Sequence, residues 1–242
     1  MSKAALIVGA GDATGGAIAK AFAREGYVAC VNRRARNADQ LEALVQSIHA
    51  EGYEARAYPA DARIEDEVVA MVDAIERDVG PIEVAVFNIG ANVNFSILDM
   101  TAQVYRKVWE MAAFAGFLMG REAARRMVTR QSGTIIFTGA TASMRGGKGF
   151  SAFSGAKGAL RMLAQSMARE LGPQNIHVAH VIIDGGIDTA FIRSIHPDFE
   201  TAKAADGILS PDAIALQYVA IHKQHRSAWT HEMDLRPWTE SF

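Results

Sequence analysis

The sequence predicts an α/β fold in which a doubly wound parallel sheet carries helices on both faces. Three observations lead there. Short β-like runs alternate with segments of helical periodicity along the chain, the rhythm of βαβ units. The strand-like runs are nearly continuous in apolar residues, as expected when both faces are covered. Gly26, Gly52, Gly80-Pro81 and Gly172-Pro173 fall where helices must end.

In order, Ala4–Val8 is a first strand of five apolar residues, and 17–25 is the small-residue helix after its glycine turn. The run 27–32 is a second strand, Ala38–Ala50 a periodic helix, and 55–58 a third strand. Helix 64–78 precedes strand 84–87, and the long helix 104–129 precedes strand 134–138. Helix 153–171 then leads to the sixth strand, 178–183. Segment 188–210 breaks the rhythm: it is loop-like, contains His196-Pro197-Asp198 and follows the last central strand. Ligands of open α/β sheets bind beyond the carboxyl ends of the strands, so this excursion is expected to be a lid. No repeat, linker or low-complexity tract is present, and half of the 242 residues are hydrophobic. One domain spanning residues 1–242 is expected.

A net charge of −2 gives no basis for nucleic acid or an anionic membrane as partner. The longest apolar-rich stretch, 108–120, is too short to span a bilayer and contains Glu110, so it reads as a buried helix. The N-terminus lacks a signal-peptide pattern. Cys30, the single cysteine, lies in an apolar run that suggests a buried strand. It is compatible with a reducing cytoplasm, the expected location. His177 and His180 are expected to flank the sixth strand, with His222 and His225 on or after a late helix and His231 near the C-terminus. No carboxylate or cysteine pattern accompanies them, so no metal is expected.

The first strand enters Gly9-Ala10-Gly11-Asp12-Ala13-Thr14-Gly15-Gly16, followed by a helix. Such a turn lets the backbone approach a pyrophosphate, with helix N–H donors and dipole behind it. The second strand ends in Asn32-Arg33-Arg34. NAD sites usually place an acid there to accept from the ribose hydroxyls, whereas an arginine pairs with a 2′-phosphate. Asn32 takes the acid position and Arg33 follows it, so NADP(H) is expected over NAD(H).

The segment Gly149-Phe150-Ser151-Ala152-Phe153-Ser154-Gly155-Ala156-Lys157 resembles the active-site helix of the short-chain dehydrogenase/reductase family, whose signature there is Tyr-x-x-x-Lys. Lys157 matches and Phe153 stands at the tyrosine. The turn is similar to the family's Thr-Gly-x-x-x-Gly-x-Gly: Gly9 and Gly15 match the outer glycines, Ala13 takes the middle position and Val8 the threonine. Asp61, followed by Ala62, resembles the aspartate that meets the adenine amino group. Asn88 and Gly90 match the family's Asn-Asn-Ala-Gly turn. Gly185 and Thr189 match Pro-Gly-x-x-x-Thr, which holds the nicotinamide carboxamide, and Asp184 replaces the proline. Ser210-Pro211-Asp212-Ala213-Ile214 extends the likeness, whereas 229–242 lacks the family's Asp-Gly-Gly ending. The resemblance implies a Rossmann-type, three-layer fold and a nicotinamide-dependent oxidoreductase.

It also implies where proton chemistry should lie. In the family the tyrosine gives the proton, the lysine lowers its pKa and binds ribose, a serine fixes the carbonyl oxygen, and a helical asparagine supports a water relay. The serine position, thirteen before Phe153, is Ala140; the asparagine position, three before Gly116, is Ala113. Only Lys157 of the four functional groups remains. Other groups with usable protons are Thr141, Ser143, Ser154, Asn92, Asn94 and Asp184. A carboxyl at Asp184, at a strand end beside the expected nicotinamide, could act as an acid if its site is apolar; a solvated or helix-capping aspartate is the plainer alternative. Lys157 could itself donate if its pKa is depressed.

Helices 104–129 and 153–171 carry small and apolar residues, and the family's matching helices form a four-helix dimer interface, which implies a homodimer or homotetramer. The substrate is expected to be a small molecule lined by 91–97, 143–150 and 187–207. Two functions follow: an NADP-dependent oxidoreductase of small carbonyls or alcohols with a non-standard proton donor, or a non-catalytic NADP-binding sensor or assembly subunit.

Overall fold

A computed structural model describes residues 2–240. Met1, Ser241 and Phe242, which belong to the two terminal segments discussed above, lie outside the described residues. The strands are β1 (Ala4–Val8), β2 (Val28–Asn32), β3 (Ala55–Ala57), β4 (Ile82–Phe87), β5 (Gly133–Thr138), β6 (Ile176–Ile183) and β7 (Glu232–Leu235). All pair in parallel, in the order β3-β2-β1-β4-β5-β6-β7. Strand order reverses between β1 and β4, which opens a crevice at their carboxyl ends.

The sheet is buried on both sides. Alternate residues of β1 point to opposite faces: Ala4, Leu6 and Val8 pack with Phe87, Leu118, Phe137 and Leu160, whereas Ala5 and Ile7 pack with Ile18, Phe22, Val86 and Tyr218. This is the Rossmann-type layering that the continuous apolar strands imply. The helices are α1 (Thr14–Arg24), α2 (Ala38–Ala50), α3 (Glu65–Asp78), α4 (Ala102–Trp109), α5 (Ala115–Arg130), α6 (Ser151–Leu171), α7 (Ala190–Ile195), α8 (Phe199–Ala204) and α9 (Pro211–His222). The α9 start is fixed by Ser210, whose hydroxyl accepts from the Ala213 N–H, with Pro211 in the first turn.

Four sequence expectations need correction. The helix expected over 104–129 begins at Ala102 and is interrupted by a π-helical turn, Glu110–Phe114. Hydrophobic periodicity continues through such a bulge, so it left no signal. The segment 188–210, expected to be loop-like, contains α7 and α8; Thr189 caps α7 by accepting from the Ile192 N–H. His177 and His180 lie inside β6, not at its flanks, because that strand starts at Ile176. Strand β7 was not anticipated: Glu-Met-Asp-Leu is short, half acidic and sits at the sheet edge.

Candidate functional site

A cleft of about 1770 Å³ runs along the carboxyl ends of the central strands. At one end lies the glycine turn. Gly9 has φ +89°, and a Cβ on Gly15 would stand 2.3 Å from the Gly9 carbonyl oxygen, so turn and helix meet at a distance only glycine permits. Helix α1 has no side-chain cap. The Gly16 N–H already donates to the Gly11 carbonyl at 2.8 Å, which leaves the Thr14 and Gly15 N–H groups of the first turn to suit an anionic acceptor. Gly9, Gly11, Asp12, Ala13, Thr14, Gly15, Asn88 and Gly90 all line this end. The Asn88 amide donates to the Gly9 carbonyl at 3.2 Å and so braces the turn.

Asn32, Arg33, Arg34, Asp61 and Ala62 stand outside the cleft lining. Asn32 is buried, and its amide donates to the carbonyls of Tyr58 and Ala60 at 2.8 and 3.1 Å, tying the ends of β2 and β3 together. Arg33 reaches back to Asp12 at 3.1 Å. Arg34 is pushed below its ordinary pKa, first by partial burial and then by the like charges of Arg36, Arg63 and Arg33. These arginines make one positive patch at the end of β2. Asp61 forms a two-pronged pair with Arg63, which holds its carboxyl below the usual range.

At the other end the floor is Lys157, 2% exposed. Its ammonium donates to the carbonyls of Ile89 and Thr138 at 2.9 and 2.8 Å. Burial lowers its pKa to about 7. The Phe153 ring centroid lies 5.9 Å from Nζ. Ala113, on the π-turn, packs with Phe153, Ala112, Val108, Ala152 and Ala156, and Ala140 and Phe150 lean on the same group. Ala113, Ala140 and Phe153 thus converge on one apolar cluster.

The polar groups nearby belong to the ends of β5 and β6. Thr138 pairs with Val181, and three residues on, Thr141 faces Asp184. The Thr141 hydroxyl lines the cleft and donates to Asp184 Oδ1. Asp184 is 4% exposed and therefore not a solvated aspartate. The Asp184 N–H donates to the Leu235 carbonyl at 2.8 Å, and Arg236 approaches Oδ2 at 4.0 Å. Ser143 instead donates to the Ala140 carbonyl at 2.6 Å. Gly185 and Thr189 line the cleft beside the lid.

Two features escaped the sequence. Arg236 comes from the unanticipated end of β7. His180 lies behind Gly139, with Nδ1 bonded to Glu232 at 3.0 Å, and Glu232 also pairs with Arg161 at 2.7 Å. Burial pulls the His180 pKa down to about 4 despite the Glu232 carboxylate. The signal available was register: His180 pairs with Glu232 across β6 and β7. Among the described residues no cluster of histidine, cysteine and acids could hold a metal, and no helix is long and apolar enough to cross a membrane. Cys30 is buried, its thiol pushed up to about 12 by desolvation.

This fold and cleft define a class: a doubly wound α/β protein with a glycine turn and an uncapped helix start at the switch point of its sheet. The comparisons carry the assignment further. The family model described as short chain dehydrogenase matches residues 3–199. A short-chain dehydrogenase from Rhodopseudomonas palustris is 48% identical, covers 98% of this chain and 99% of its own, and superposes with a TM-score of 0.83. The 2-dehydro-3-deoxy-D-gluconate 5-dehydrogenase of Formosa agariphila is 31% identical over 176 residues, 73% of this chain and 66% of that protein. The 5-keto-D-gluconate 5-reductase of Escherichia coli is 31% identical over 193 residues, 80% and 75% respectively. An actinorhodin polyketide ketoreductase solved with NADPH shares the fold at 20% identity, with a TM-score of 0.87 over 98% of this chain and 96% of that one. The chain belongs to the short chain dehydrogenase family.

Proposed function

We propose that this protein is an NADP-dependent oxidoreductase of a small carbonyl or alcohol in which Thr141 and Asp184 move the proton. The observation that carries the reading is the cleft-lining Thr141 hydroxyl bonded to the buried Asp184 carboxyl. When bound, the nicotinamide supplies or accepts the hydride. Gly9, Gly11, Asp12, Ala13, Thr14 and Gly15 hold the pyrophosphate against the uncapped start of α1. Arg33 and Arg34 meet the 2′-phosphate, and Asn32 keeps the strand end in place beneath them. Asp61 and Ala62 flank the adenine, Asn88 and Gly90 the ribose side, and Gly185 and Thr189 the carboxamide. Lys157 grips ribose hydroxyls. During alcohol oxidation Thr141 Oγ1 accepts the substrate proton while its own passes to Asp184. Carbonyl reduction runs the same path in reverse: Thr141 gives its proton to the substrate oxygen and takes one back from Asp184. Phe153 and Ala140 wall the pocket, Ala113 packs behind them, and none of the three exchanges a proton.

The test begins with fluorescence titration of NADPH and NADH after removal of copurified nucleotide. Tight NADPH with weak NADH binding supports the reading; binding of neither overturns it. Turnover of a panel of small ketones and aldehydes follows. Asp184→Asn should then lower kcat by roughly 10²–10⁴-fold, the range of positioned acid–base groups, at unchanged NADPH affinity. The apolar cluster of Ala113, Ala140 and Phe153 favours a second reading, a non-catalytic NADP-binding sensor or assembly subunit. Tight NADPH binding with no turnover across the panel would select it.

The same proposal includes one domain, a cytoplasmic location consistent with the buried thiol of Cys30, and self-association. Trp109, Phe114 and Phe117 stack in series where α4 meets α5, with Trp109 43% and Phe117 37% exposed. A homodimer or homotetramer burying this face is expected, and sedimentation of the Trp109→Glu variant as a smaller species would support it.

A further inference from the structure

The lining of the cleft carries several charged side chains, and most are already paired. Asp12 meets Arg33, Lys20 meets Glu51, and Asp188 meets both Lys203 and Arg193. Arg193 also pairs with Glu200, and Lys157 is taken by two backbone carbonyls. Asp206 and Asp212 belong to the turn after α8 and the first turn of α9, away from the end of β5. Arg145 differs. It lines the cleft, yet its guanidinium makes no hydrogen bond or ion pair among the described residues.

Its position is fixed by local geometry. The Arg145 N–H donates to the Thr141 carbonyl at 3.2 Å, so Arg145 lies one turn beyond the residue that faces Asp184. Beyond it the loop is closed by Phe150 N–H to Gly147 O at 3.1 Å and tied to the opposite rim by Phe95 N–H to Gly149 O at 2.9 Å. Phe150, Phe153 and Ala142 supply apolar lining to the same cleft, beside the polar Thr141, Ser154 and Asn92. Arg145 does not serve the 2′-phosphate expected at β2, because β5 lies three strands away in the sheet order, roughly 14 Å at the usual strand spacing. Arg145 is exposed on the cleft lining, and a planar guanidinium with no partner among the described residues is matched by a carboxylate.

We infer that Arg145 binds a carboxylate of the substrate, so that the substrate class is an oxo or hydroxy carboxylic acid whose apolar body lies on Phe150 and Phe153. This rests on the reading that the cleft takes a small carbonyl or alcohol. Arg145 is then the specificity-determining residue, distinct from the groups that move the proton.

The test uses benzoate and its neutral isostere benzamide as probes, titrated by calorimetry into the NADP⁺-mixed protein and, in parallel, into cofactor-free protein. Benzoate should bind about 10–100-fold more tightly than benzamide, the range for a hydrogen-bonded charge pair. Arg145→Gln should abolish that preference, Arg145→Lys should keep part of it, and Lys148→Gln, on the same loop but outside the cleft lining, should keep all of it. Equal binding of the two probes, or a preference that survives Arg145→Gln, overturns the inference. Failure of either form to bind benzoate also overturns it. An Arg145-dependent preference in protein that takes up no NADP⁺ would support the acid site and sink the cofactor reading, so the two fail separately.

Discussion

Replacing Lys157 by methionine isolates the cost of burying a cation under the cleft. A shift of the amine from its ordinary 10.5 to about 7 corresponds to roughly 5 kcal/mol of preference for the neutral form, at about 1.4 kcal/mol per pH unit. Below pH 7 the amine is charged in both folded and unfolded chains, and the folded state carries the whole penalty. Between pH 7 and 10.5 the unfolded chain binds the extra proton, so stability rises with pH. Stability conferred by the neutral amine is therefore full above 10.5 and lost as pH falls through 7. Methionine removes this dependence but leaves the carbonyls of Ile89 and Thr138 without their donor, at about 1–3 kcal/mol each. The two effects offset one another near neutrality, and the slope becomes the diagnostic quantity. Between pH 7 and 9.5 the wild type should gain about 3 kcal/mol on Lys157→Met. Urea unfolding of cofactor-free protein, followed by the fluorescence of Trp109, Trp229 and Trp238, reads this directly. Parallel stability–pH curves would refute the reasoning, since they would mean that the buried amine stays charged throughout.

Further outcomes are expected. His180, held neutral by burial with a pKa near 4, contributes stability that is full above about 6.5 and lost as pH falls toward 4; His180→Gln should flatten roughly 3 kcal/mol of that acid limb in the same unfolding assay. Gly15→Ala places a methyl 2.3 Å from the Gly9 carbonyl; the turn must open, and NADPH affinity should fall roughly tenfold or more while circular dichroism is unchanged. Arg33→Ala should weaken NADPH about 10–100-fold and leave NADH unaffected, measured by paired titrations. Phe153→Tyr combined with Ala140→Ser should raise ketone reductase turnover in the carbonyl panel, and no gain would count against simple loss of a standard proton relay.

The layers of the fold were legible because β1, β2, β4, β5 and β6 are buried on both faces and therefore written in continuous apolar residues. What stayed hidden depends on geometry that periodicity does not encode. The π-turn at Glu110–Phe114 rotates the helix without breaking its apolar pattern. The edge strand β7 is acidic because Glu232 is needed by His180 and Arg161. The glycine turn was legible in full, since close approach demands glycine there. The Thr141–Asp184 contact was not: the register pairs Thr138 with Val181, but Thr141 lies in the turn beyond β5 and Asp184 beyond β6, where register no longer fixes which residues meet. Asn32 was placed correctly at the end of β2 and β3 was read beside it, but the commitment of the Asn32 amide to the Tyr58 and Ala60 carbonyls depends on how the chain leaves β3, which no pattern encodes.

The residues after β7 return to the cleft. Arg236 approaches Asp184, Pro237 lies against Gly185, and the Trp238 indole N–H donates to the Ala205 carbonyl at 2.9 Å beside the lid. This short stretch touches both the buried Asp184 carboxyl and the α7–α8 segment. Selection can therefore retune substrate range and rate through these few positions while the glycine turn, the strand register and both cores stay untouched. Directed evolution of this protein would be expected to collect its first useful changes at 236–239.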